Sequence, residues 1–311
     1  MPGATKAAAL SQSKTVLRMA LKIGIALVAL LAMFLVAKWL RTLPAVEDFL
    51  VEYPGHVELR ASAATGLPSW LGWQHFLNAF FMVLIIRTGW QVRTSARPKA
   101  YWTRNNKGLH RTKNPPMKIS LDLWLHQSLD VLWVLNGVVF VVLLFATGQW
   151  MRIVPTSWDV IPNALSTALQ YASFDWPTEN GWANYNSLQV LAYFVTVFIA
   201  APLSLITGLR MSGAWPRNAE RLNRYYPVEV ARKIHVPVMI YFVLFIVTHV
   251  ALVLMTGTLR NLNHMYASRD DASLVGFWVF AASIAATAAA WLLARPIFLR
   301  PIASLTGKVS R

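Results

Sequence analysis

Four histidines lie in stretches that are otherwise apolar: His75, His126, His235 and His249. The last two share one run, KIHVPVMIYFVLFIVTHVALVLMTG, from Lys233 to Gly257. As a helix, this run sets them about 21 Å apart along the axis and roughly 40° short of whole turns. Both then project from one face, one near each membrane surface. An ionisable side chain inside a membrane span is costly enough that function is its first explanation, and imidazole is a common axial ligand of haem iron. The spacing suggests two haems stacked across a bilayer. A zinc or copper centre would gather its ligands at one depth, often at i, i+3 or i, i+4, and the sequence has no such cluster.

The elements that must position these residues are membrane helices. Of the 311 residues, 56% are hydrophobic and 14% charged, in long apolar runs, which predicts an all-α polytopic bundle rather than a soluble domain. A net charge of +16 would point to nucleic acid in a soluble chain. Here the basic residues fall in loops between apolar runs, where positive charge sets orientation, and no nucleic-acid partner is expected. The absence of cysteine excludes disulfides, cysteine-bound iron–sulfur clusters and haem attached through C-x-x-C-H. A redox cofactor would be held non-covalently, by histidine or methionine.

Six spans are expected, at about Val16 to Leu40, Trp70 to Trp90, Leu121 to Thr147, Ser187 to Thr207, Lys233 to Gly257 and Ser273 to Leu293. The first is longer than the apolar part of a signal peptide, ends in Lys38 and Arg41, and reads as a membrane helix. Asn114-Pro115-Pro116 is a stop before span three, and Pro237 is expected to kink span five. Ile161, Leu165 and Leu169 recur at i, i+4, i+8 around Pro162, predicting a short amphipathic helix near 161–172 at the membrane interface. Thr-Gly stands at the end of spans two to five (88–89, 147–148, 207–208, 256–257), where glycine can close a helix, so capping is its first explanation. These features divide the chain into an N-terminal span and loop (1–69), a four-helix core (70–258) and a C-terminal span with a basic tail (259–311).

The segment before span one, the loops Arg93 to Lys118 and Arg210 to Lys233, and the tail are basic, while the other three loops are acidic or mixed. An even number of spans in the cytoplasmic membrane, with both termini in the cytoplasm, satisfies every loop. Alternating direction then puts His126 and His235 at matching depth on the cytoplasmic side, and His75 and His249 at matching depth on the outer side. Each pair could clamp one haem b iron from both faces, leaving no open coordination position, which favours electron transfer over oxygen chemistry. A lone histidine in a membrane helix is more often an interhelical hydrogen-bond partner; four, paired by depth, favour ligation. His56, His110 and His264 fall in loops and are expected to be solvated. Asp130, one turn beyond His126, could exchange protons with a quinone, or could pair with Lys118 or a loop arginine. Arg232 and Lys233, beside His235, could neutralise haem propionates or serve as ordinary positive-inside anchors.

At WQHFLNAFFMVLIIRTGWQVR around His75, LWLHQSLDVLWVLNGVVF around His126 and IHVPVMIYFVLFIVTHVAL around His235 and His249, the sequence resembles the di-haem b-type cytochrome subunits of the cytochrome b561-like superfamily. These anchor respiratory formate dehydrogenases, nickel–iron hydrogenases and thiosulfate-reductase-type molybdoenzymes. The resemblance implies two non-covalent haems b, with His75 opposite His249 and His126 opposite His235. It also implies electron exchange between a membrane quinone and a partner redox subunit of molybdopterin or hydrogenase type. It covers roughly Trp70 to Gly257. Span one precedes that core and, by charge, inverts it relative to anchors whose first core helix begins in the cytoplasm; span six is additional. Two rivals are a stand-alone transmembrane reductase with the same haems, serving a soluble acceptor, and a haem-free transporter. The transporter would need broken helices or buried charge pairs at mid-membrane, and the candidate charges, Arg87 and Asp130, lie near span ends.

Overall fold

The computed structural model describes residues 3–107, 111, 112, 115–176, 180–216 and 218–311, with side chains from residue 16 onward. His110 and Asn114 lie outside the described residues. Six helices are long and apolar enough to cross a membrane: Val16–Leu40, Ser69–Thr94, Leu121–Ala146, Ser187–Met211, Val228–Met255 and Val275–Leu293. The chain is a multi-pass, mostly helical membrane protein, the helix being the form that lets a bilayer-spanning segment satisfy its own backbone. It divides into two compact units.

The first unit takes the described parts of 1–59, 155–180 and 184–191. Its helix α1 (Gly3–Leu40) contains span one. The loop that follows is partly helical, as α2 (Pro44–Glu52), with proline in the first turn where no hydrogen bond is lost. Arg41 donates to Ser173 Oγ at 2.8 Å and pairs with Asp175, fixing the end of α1.

The amphipathic helix is present as α5 (Val160–Ala172). Its polar face turns inward. Asn163 Oδ1 accepts from Gly55 N at 2.9 Å, and Thr167 Oγ1 donates to Gly55 O at 2.8 Å. Gly55 has φ +116°, and a Cβ there would come within 2.9 Å of Thr167 Oγ1. The apolar Ile161 and Leu165 are exposed, the presentation that suits a helix lying in a lipid interface.

The second unit takes 60–154, 181–183 and the described part of 192–311. Here α3 (Ser69–Thr94) packs on α4 (Leu121–Ala146), and α7 (Ala201–Met211) packs on α9 (Val228–Met255). Span four begins as α6 (Ser187–Phe194) and reaches α7 through a π-helical segment, Val195–Ala200. α9 continues through Pro237, which removes one intrahelical hydrogen bond without ending the helix. Outward residues such as Leu135, Val142, Leu244 and Val247 leave apolar surface for lipid. The last span, α11 (Val275–Leu293), is tied to α3 by Arg87, which donates to Ala294 O at 3.0 Å and lies over the Trp291 ring at 4.8 Å.

The segment after α3 was expected to be a basic loop, and the tail only to be basic. Instead they supply an antiparallel sheet of β1 (Tyr101–Arg104), β2 (Lys118–Ser120) and β3 (Gly307–Ser310), in the order β2-β1-β3. Trp102 pairs with Ile119 and Val309. Trp102 and Val309 also pack on a small core of Ala100, Leu121, Leu299 and Ala303, the latter two from α12 (Pro296–Ser304). A side chain at Gly307 would come within 2.4 Å of Thr103 O, so only glycine fits that edge.

Candidate functional site

His75 sits in the second turn of α3 and His249 near the end of α9, and the structure brings them together. Their ring centroids are 6.1 Å apart with planes crossed at 50°. Two imidazoles that bind one metal through nitrogens about 2 Å from it hold their centroids roughly 6 Å apart. The pair has that spacing. Aromatic rings set both imidazoles: Phe245 stacks on His249 at 5.7 Å, Tyr193 meets its edge at 6.1 Å, and Tyr266 stands edge-on to His75 at 5.6 Å. Tyr266 belongs to a π-helical segment, Asn263–Ala267, which lies against the start of α3 where a Cβ on Gly72 would come within 2.5 Å of Met265 O. Burial pushes the Tyr266 phenol above its usual range, so it remains protonated at neutral pH. His75 Nδ1 is enclosed and has no hydrogen-bond partner among the described residues.

His126, near the start of α4, and His235, near the start of α9, are held differently. Thr88 Oγ1 lies 3.0 Å from His126 Nδ1, and Thr207 Oγ1 lies 2.8 Å from His235 Nδ1. Both threonines are fully buried. Each hydroxyl also reaches the carbonyl four residues back on its own helix, Leu84 O at 2.8 Å and Leu203 O at 2.7 Å. The glycine after each threonine faces the same ring: a Cβ on Gly89 would stand 3.2 Å from His126 Cε1, and one on Gly208 3.6 Å from His235 Cε1.

The capping expectation for Thr-Gly therefore divides. Gly148 and Gly257, at φ +74° and +119°, follow the ends of α4 and α9 and are caps. Gly89 and Gly208 lie inside α3 and α7, which continue to Thr94 and Met211, and their threonines face histidines instead.

Asp130 Oδ2 is 3.7 Å from His126 Nε2, too far for a hydrogen bond. Lys118, one of its expected partners, lies over the Tyr101 ring at 4.5 Å. Arg232 and Lys233 are exposed in the first turns of α9.

His264 departs from expectation. It is 5% exposed, its Nε2 lies 2.7 Å from Asp270 Oδ1, and its ring packs on Trp182 at 5.4 Å. Asp270 also accepts from Arg260 at 2.8 Å, so the imidazole is buried in a hydrogen-bonded contact at the edge of the loop rather than solvated. His56 is half-buried, with its Nε2 3.7 Å from Glu58. Sequence reasoning missed the roles of Thr88, Thr207 and Tyr266. A signal for the threonines existed: Thr-Gly repeats one helix upstream of His126 and of His235.

The donor set fits a six-coordinate haem. The imidazoles of His75 and His249 stand at the spacing this requires, and those of His126 and His235 each have Nδ1 engaged by a threonine, an arrangement in which Nε2 would be the ligating nitrogen.

A family model described as prokaryotic cytochrome b561 matches residues 66–267. The chain is also similar to a protein of Azospira oryzae described as a putative protein-methionine-sulfoxide reductase subunit, YedZ1. That match is 27% identical over 199 residues, covering 60% of this chain and 88% of the other. No solved structure matches the chain.

Proposed function

The chain belongs to the prokaryotic cytochrome b561 family, whose members bind b-type haem, and from that premise we propose that it is a di-haem cytochrome b of the cytoplasmic membrane. It moves electrons between a membrane quinone and a partner redox subunit. The observation that carries the reading is the facing of His75 and His249 across 6.1 Å, at the opposite end of α9 from His235.

In this reading residues 70–258 form the haem-binding core, with residues 1–69 and 259–311 as added spans and both termini in the cytoplasm. His75 and His249 hold the outer haem, and His126 and His235 the inner. A bound haem b supplies reversible one-electron storage at its iron. With both imidazoles of a pair given to its iron, a bound haem would offer no position to oxygen or substrate, so the protein's task is passage rather than turnover at the metal. Arg232 and Lys233, exposed beside His235, offset propionate charge on the inner side. Asp130, next to His126, gives or takes the proton that accompanies quinone chemistry. The Azospira relative is described as a reductase subunit, which supports a partner enzyme over a stand-alone reductase.

The test is a reduced-minus-oxidised spectrum of purified protein with a haem-to-protein ratio. Two haems per chain, all extracted by acid acetone, is the expected result. A well-folded preparation that stays colourless after haem supply overturns the reading.

A further inference from the structure

We propose that Thr88 and Thr207 are positioning residues that fix the tautomer and ring plane of His126 and His235 and thereby set the potential of the haem between them. The inference rests on the bis-histidine reading above. A threonine hydroxyl has one proton. In both residues it points to a backbone carbonyl of the same helix, at 2.8 Å for Thr88 and 2.7 Å for Thr207. Towards the imidazole the oxygen can then only accept, so each Nδ1 carries the proton and each Nε2 presents a bare lone pair to the metal. The 3.7 Å separation between His126 Nε2 and Asp130 agrees, since a protonated Nε2 would draw the carboxylate closer.

The arrangement occurs twice, on α3 facing α4 and on α7 facing α9, with the same residue types: a fully buried threonine, then a glycine against the ring. An incidental interhelical hydrogen bond would need neither the repeat nor the glycine. The other pair lacks the device, since His75 Nδ1 has no partner among the described residues and His249 is set by Phe245 stacking. The molecule thus carries its own control.

Donation from Nδ1–H makes an imidazole a more basic ligand and favours ferric over ferrous iron. Removing the acceptor should weaken haem binding by roughly ten- to a hundredfold, the usual cost of losing an outer partner of a metal ligand. It should also raise the midpoint potential, by about 59 mV for each tenfold difference between the two oxidation states.

The experiment is redox titration of full-length protein, followed by visible and electron paramagnetic resonance spectra, for Thr88→Val, Thr207→Val and the matching serine variants. The valine variants should shift the His126/His235 component upward or lose that haem, leave the other component unchanged, and be rescued by serine. Valine variants that titrate like the wild type overturn the proposal. So do serine variants as damaged as the valine ones, including when a valine variant loses both haems. The His126→Ala and His235→Ala variants separate this failure from that of the parent reading. If neither removes a haem component, the bis-histidine assignment falls and takes this inference with it. If both remove the same component while Thr→Val is silent, only the threonine role falls.

Discussion

The imidazoles of His75 and His249 face each other with centroids 6.1 Å apart, although 174 positions separate them in the chain. Antiparallel threading of α3 and α9 produces that approach at one end, while His235 lies toward the other end of α9. The four histidines should therefore behave as two pairs. His75→Ala and His249→Ala should erase one and the same redox component, and His126→Ala and His235→Ala the other, because an iron that loses one axial imidazole loses its strong field from that side. Redox titration with electron paramagnetic resonance on the four single variants measures this. Loss of one component by both His75→Ala and His126→Ala would break the pairing.

Orientation can be read independently of haem. The basic segment between α3 and α4 should face the cytoplasm, so an alkaline phosphatase fused between Arg93 and Lys118 should be inactive. A fusion between Gln149 and Asn186 should be active. The reverse pattern would exchange the inner and outer haems without altering which histidines share one.

Arg152 is the largest fully buried side chain in the second unit, and it donates to Gly181 O at 2.7 Å, Trp182 O at 3.0 Å and Ala183 O at 3.2 Å. Arg152→Ala would remove the side-chain donor from all three, leaving Trp182 O its bond from Gly66 N at 3.2 Å. A loss of about 3 kcal/mol is expected, from the charge-assisted hydrogen bonds given up at these part-buried carbonyls, and a Tm in detergent lower by roughly 5–10 °C. Arg152→Lys should fall between, since an ammonium cannot span the same fork. An unchanged melting curve for Arg152→Ala would mean that the cluster carries no stability.

What the sequence disclosed follows from the range of the interactions involved. The spans were legible because a bilayer dictates the length and apolarity of each helix separately, and His235 and His249 because a single helix relates them. The sheet was not: Trp102 meets Val309 only once the chain has crossed the membrane several times, and neither strand exceeds four residues. The burial of His264 depends on Asp270 and Trp182, brought to it by loop paths that no periodicity encodes. Thr-Gly was visible at all four positions but ambiguous, because one dipeptide caps α4 and α9 and faces a histidine from within α3 and α7. Whether the helix continues past the glycine separates the two uses, and helix ends are the least legible feature of a sequence.

The two ring-facing glycines give a steric test that leaves every hydrogen-bonding group in place. Alanine in a helix interior gains roughly 1 kcal/mol over glycine in propensity, so both Gly89→Ala and Gly208→Ala begin with the same advantage. Their surroundings differ. The new methyl at position 208 would meet His235 Cε1 at 3.6 Å, an ordinary contact between carbons, whereas at position 89 it would meet His126 Cε1 at 3.2 Å and must push the ring by a few tenths of an ångström. That push stretches the 3.0 Å contact with Thr88 and tilts Nε2, the nitrogen that would ligate iron in the proposed function. Gly208→Ala should keep haem content and both midpoints near wild type with unchanged or better stability, and Gly89→Ala should weaken binding of the haem shared by His126 and His235 several-fold. Haem titration into the two variants, read against the unaffected His75/His249 component, measures the contrast. Equal damage from both, or greater damage at 208, would show that the His126 ring does not lie against α3 as described.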